Sequence, residues 1–180
     1  MKKIIFLAII LHTLSCAKAQ QLTRSQAKEQ IIEKLGYPKD DLLELSMEDN
    51  SIHRFTLAQI LEKYAKAGLL TISQYKGGVR ASLTSEGEKY RSKKESRNSW
   101  SILVKQAELH FIEITGIRTV DHSRFGGGVN AIVEYTIEQK NITPFGIIGD
   151  PLGIVGELEE EIIEKRATFI KYDDGWRLQK

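Results

Sequence analysis

The chain contains one cysteine, four histidines and 24 acidic residues, and these are the side chains from which catalysis or metal binding would have to be built. His53, His110 and His122 show no H-x-x-x-H or Cys-His spacing, so they assemble no zinc motif. Asp121-His122-Ser123 contains the residue types of a hydrolytic triad, but chain neighbours point in different directions and cannot line up a proton relay. Glu157, Glu159, Glu160, Glu161 and Glu164 form an acidic run without the alternating oxygens of a calcium loop, and it reads as a solvated face. Arg124-Phe125-Gly126-Gly127-Gly128 would cradle a phosphate only if a helix N-terminus came next; a strand pattern comes instead, so the glycines read as a turn. These residues define no catalytic group, no metal site and no cofactor, and an enzyme is the weaker expectation. The lone Cys16 falls in a segment of a different kind.

Lys2 and Lys3 precede an unbroken apolar run, Ile4 to Leu11, which is the layout of a secretory signal peptide. A membrane-spanning helix needs roughly 20 apolar residues, and this run has about half that length. Two processing sites compete. Ala17-Lys18-Ala19 has the A-x-A pattern and would release a chain starting at Gln20, making residues 1–19 the leader. Thr13-Leu14-Ser15-Cys16 resembles the lipobox of bacterial lipoproteins, which implies a 1–15 leader and a lipid on Cys16 as a membrane attachment. Either cut implies an exported protein, periplasmic and either soluble or lipid-anchored. Neither leaves a pair of thiols for a disulfide. The roughly 160 residues that remain suffice to bury a substantial core without one.

The full chain carries 26 Lys+Arg against 24 Asp+Glu. Removing Lys2 and Lys3 leaves 24 against 24, so the excess of positive charge belongs to the leader. A division into two modules is suggested by helical periodicity in the first half and strand periodicity in the second. We expect an α+β protein: a winged-helix-like unit over 20–92, a polar linker at 93–99, and an antiparallel-sheet unit over 100–180.

In the first unit, Thr23 and Gln26 form a capping box, Ala27, Ile31, Ile32 and Leu35 make an apolar face, and Gly36 with Pro38 ends the helix. Thr56 and Gln59 suggest the start of a second helix, with Phe55 and Ile60 as a staple and Gly68 as its stop. Leu69 to Ile72 and Val79 to Leu83 read as strands joined by a hairpin at Gly77-Gly78, and Ser85 with Glu88 suggests one more capped helix. The run Ile60 to Leu70, followed by Leu83-Thr84-Ser85-Glu86-Gly87, resembles the recognition helix, wing and closing segment of bacterial winged-helix regulators. That resemblance implies a wing carrying Tyr75, Lys76 and Arg80. It could imply DNA binding, but Gln59, Glu62, Lys63, Lys66, Lys76 and Arg80 are a thin cationic footprint for the ~6 phosphate contacts a DNA reader makes. A protein-interaction role fits this composition better, and nucleic acid is the third reading.

The second unit changes period. Leu109 to Val120 and Val129 to Gln139 read as long strands, with Ala131, Val133, Tyr135 and Ile137 on one side. Ala167, Phe169, Trp176 and Leu178 should face a core across a hairpin turn at Asp173-Asp174-Gly175. "AIVEYT" and "FIKYDDGWRL" are similar to the last strands of exported domains with a cystatin-like or nuclear-transport-factor-like curved sheet. Those families place a helix before the sheet, and only Ser99 to Gln106 stands in a position to supply it.

Residues 143–156 are apolar yet broken by glycines and prolines, which defeats both a helix and a central strand. They read either as a loop folded over the sheet or as a contact surface formed by Phe145, Ile147, Ile148, Leu152 and Ile154. The sequence therefore leads to a non-catalytic interaction or assembly component of the cell envelope, whose partner is another envelope protein. A small-ligand-binding or hydrolytic domain using the sheet's concave face is the second reading.

Overall fold

The computed structural model describes residues 21–49, 54–75, 78–96, 98–122, 128–149 and 158–179. Cys16, Lys76, Leu152 and Ile154 lie outside these residues, as do the expected leader and residues 124–127 of the glycine run.

The chain is a mixed α+β fold dominated by antiparallel sheet. Helix α1 (Arg24–Leu35) begins at the expected capping box, in which the Thr23 hydroxyl accepts from the Gln26 N–H, and it stops at left-handed Gly36. Strand β1 (Lys39–Ser46) is next, then the short β2 (Glu48–Asp49). Helix α2 (Arg54–Lys66) starts two residues before Thr56, which places that residue inside the helix rather than at its cap. Strands β3 (Leu70–Tyr75) and β4 (Gly78–Leu83) form the expected hairpin. Helix α3 (Ser85–Glu88) is a single turn capped by Thr84, not Ser85: the Thr84 hydroxyl accepts from Gly87 N–H. The second half holds β5 (Ser101–Asp121), β6 (Val129–Lys140), α4 (Pro144–Ile148), β7 (Glu161–Tyr172) and β8 (Gly175–Leu178).

Two sheets result, ordered β1-β5-β6-β7-β8 and β2-β4-β3. The five strands of the larger sheet form an antiparallel meander in chain order, interrupted once between β1 and β5, where β2 to α3 are inserted. The stretches 20–92 and 100–180 thus share a sheet through β1 and β5. The helix that precedes this sheet is α1, whereas Ser101 to Gln106 form the beginning of β5. Helix α1 packs on the larger sheet, with Ala27 and Ile31 joining Ile114, Val133, Phe169 and Trp176 in one core. Leu61 and Tyr64 of α2 form a second core with Leu45, Leu69, Val104 and Phe145.

Strand β5 serves both cores, although its apolar residues do not keep a period of two. Its pairing skips Gln106 opposite β1, and Ile112 and Thr115 opposite β6. Each extra residue reverses the parity of the strand beyond it. Three reversals put Ile102, Val104, Ala107, Leu109, Phe111, Ile114 and Ile117 on one face. The neighbouring β6 needs no such correction: Ala131, Val133, Tyr135, Ile137 and Gln139 alternate cleanly inward. Buried Gln139 meets the Asp41 carboxylate at 3.3 Å, which also receives the bulged Gln106 amide at 2.9 Å. The polar groups at the seam between the cores are therefore satisfied.

Candidate functional site

The two sheets meet at Met47. Its N–H donates to the Trp100 carbonyl at 2.7 Å, at the start of β5, and its own carbonyl accepts from Ala81 of β4 at 2.8 Å. One residue thus ends pairing with the larger sheet and begins pairing with the smaller, so the strands splay apart on either side of it. The gap is a cleft of about 310 Å³, within the range of ligand and side-chain pockets. Met47 and Ile102 give it an apolar floor, and Trp100 stands at its mouth with 53 % of its surface exposed.

Two ion pairs share this lining with the indole. Arg80 of β4 pairs with Glu48 of β2, directly across the strands, and Arg91 pairs with Glu88 at 3.0 Å in the turn after α3. All four side chains line the cleft. Arg91 is held in place because the chain from Tyr90 to Ser92 runs along β5: Lys105 N–H donates to the Tyr90 carbonyl and Ser92 N–H to the Leu103 carbonyl, both at 2.8 Å. Arg91 also borders a neighbouring cleft of about 460 Å³ lined by Lys89, Lys93, Lys94, Lys105 and Asp40. An amphipathic ring in a cleft that also holds two guanidinium groups can stack on a flat or apolar group while the charged pairs exchange partners with a bound molecule.

The residues singled out in the sequence divide. Arg80 lies in this cleft. Tyr75 ends β3. Phe145 is not a surface residue: it is fully buried, its ring 5.3 Å from Tyr64 and 6.0 Å from Tyr90. Ile148 packs partly against the same core, while Ile147 projects with 55 % of its surface exposed. Pro144 to Ile148 fold as a short helix because Pro144 fits its first turn and Gly146 lets it lie close against Gln106. Trp100, Arg91 and Met47 were missed in the sequence. The available signal was an aromatic residue closing the polar stretch 91–99, where a solvated linker has no use for one.

A second polar cluster lies where β5 passes β6. The Glu108 carboxylate receives Lys105, the Asn141 amide at 2.8 Å and His110 Nε2 at 3.0 Å, while Lys105 also reaches Asp40 at 3.0 Å. Lys105 first, then Asn141 and His110, pull the Glu108 carboxyl from its ordinary 4.5 to about 2. A depressed carboxyl stabilises the fold fully above pH 4.5, and that contribution is lost as pH falls toward about 2. Glu108→Gln should therefore flatten the acid limb of a melting-temperature profile in this window and leave its shape near neutrality unchanged. Thermal melts of both proteins from pH 2 to 7 check this.

Among the described residues, no three His, Cys, Asp or Glu side chains gather as metal ligands, and no helix is long and apolar enough to cross a membrane. No family model matches the chain, and no curated protein or solved structure does so either.

Proposed function

We propose that this protein is a non-catalytic interaction module of the cell envelope that grips its partner at the cleft between the two sheets. One observation carries the reading: a tryptophan with half its surface bare lines a cleft together with two arginines. Trp and Arg dominate the energetics of protein interfaces because each presents a large, stiff contact surface with a polar handle. The inserted segment from β2 to α3 forms one wall of the cleft, and its helix and hairpin are the part that resembles a winged helix. In this reading the resemblance serves protein contact, and Arg80 acts from the base of the wing rather than on phosphate. The leader delivers the protein to the envelope, either soluble from Gln20 or held by a lipid on Cys16.

Trp100→Ala tests this. Exposed as it is, the side chain adds little to folding, so the melting temperature should stay within a few degrees of wild type. Partner affinity should fall about 30-fold or more, as expected for an interface residue worth ~2 kcal/mol. Native co-purification from the host envelope, compared with the melting curves, separates the two effects. Retention of every partner by the variant contradicts the proposal.

A further inference from the structure

On its β8 side the larger sheet ends in an incompletely covered edge. Strand β6 pairs with β7 along residues 161–170, but β8 covers the other side only from Phe169 to Tyr172. Beyond it, Gln179 N–H still reaches the Thr168 carbonyl at 2.8 Å, and then, among the described residues, cover ends. The edge of β8 is treated differently: the Gln30 side chain donates to the Trp176 carbonyl at 2.8 Å and accepts from Leu178 N–H at 3.0 Å. A helix side chain thus caps the outermost strand while, among the described residues, no strand covers this side of residues 161–167 of β7.

The direction of that backbone is set by the hairpin. Tyr172 faces Gly175 across a two-residue turn, so Tyr172, Ile170 and Thr168 point their N–H and C=O toward β8. The alternation continues to Arg166, Glu164 and Ile162, whose groups face outward.

We propose that a second copy of this chain completes this edge, pairing β7 with β7 antiparallel about a two-fold axis at Ile163. A symmetric antiparallel pair brings like-faced residues together, and this register sets Ile162 opposite Glu164 in hydrogen-bonded pairs. Glu161 then faces Lys165 of the other copy, and Glu160 faces Arg166, each twice by symmetry. All four of these charged side chains are exposed. Shifting the strands by two residues in one direction puts Glu164 against itself; in the opposite direction Ile162 meets itself and Glu160 meets Glu164. The charges therefore select one alignment. Ile162, with 67 % of its surface exposed, gains cover. On the opposite side β1 covers β5 only from Ser101 to Leu109, and beyond it Arg24 of α1 donates to the Ile114 and Thr115 carbonyls at 3.0 and 3.3 Å; β1 itself offers Asp40, Asp41 and Glu44 against Lys39, an excess of acid that opposes self-pairing.

Sedimentation velocity on the full chain tests this with three variants. Wild type should be a dimer in the micromolar range. Glu164→Pro removes an N–H that none of the described strands of its own copy uses, so it should yield a folded monomer. Lys165→Glu sets two acidic pairs face to face and should weaken dimerisation at least about tenfold, and adding Glu161→Lys should restore it. A monomeric wild type overturns the proposal. So does a dimer indifferent to Lys165→Glu, which would place the contact elsewhere.

Discussion

Replacing Phe145 with alanine should cost about 3–5 kcal/mol, the range for a fully buried phenylalanine. The ring has no exposed surface and sits between Tyr64 of α2 and Tyr90 of the chain that runs along β5. It therefore ties α4 to both of those elements at once. The loss should also be concentrated. Tyr64 donates its hydroxyl to the Gly149 carbonyl at 2.6 Å, just beyond α4, so an emptied Phe145 site loosens that bond as well. Denaturant unfolding followed by circular dichroism measures the loss. Hydrogen exchange should show α2 and β3 opening before α1, because α1 belongs to the other core. A loss below about 1 kcal/mol would mean that α4 is not an anchor for the inserted segment.

Gly87→Ala should cost about 3 kcal/mol, at the upper end for overpacking. A Cβ there would stand 2.2 Å from the Leu69 carbonyl oxygen and 3.0 Å from a Leu83 methyl. The nearest atom is backbone, so no side chain can swing away to make room. The same turn is fastened by Thr84, whose hydroxyl donates to the Gly68 carbonyl at 2.6 Å while accepting from Gly87 N–H at 3.1 Å. Moving the turn to admit a methyl would strain both bonds and shift Arg91 at the cleft. The variant should thus lose stability by chemical denaturation and partner affinity together, in contrast to Trp100→Ala, which should lose affinity alone.

The elements of this fold were easier to read than their arrangement. Thr23, Gln26 and Gly36 mark α1 because capping chemistry is local, and the alternation of β6 is plain because one face is buried throughout. The early start of β5 was hidden by its own bulges: Gln106, Ile112 and Thr115 break the period of two that identifies a strand. Helix α1 lies on the sheet formed mostly by the second half, yet nothing local distinguishes a helix packed on its chain neighbours from one packed on strands roughly 90 residues away, as Arg24 is on Ile114. The cleft was least legible of all. It depends on Met47 bonding both sheets, a long-range pairing, and on Trp100, Arg80 and Arg91 coming to line one cleft only after that pairing forms. For Phe145 the sequence leaves open a loop folded over the sheet or a contact surface, because apolar residues in a Gly/Pro-broken segment carry no periodicity to say which way they face.

The most direct test of the proposed function is to place a photoreactive amino acid at position 100 in the native host and irradiate intact cells. The cleft reading predicts one discrete adduct with an envelope protein, lost when Arg80 and Arg91 are both changed to alanine and absent when the probe is moved to Thr119 on the far end of β5. Adducts that form equally from both positions, or from position 100 regardless of the two arginines, would contradict a specific contact at the cleft.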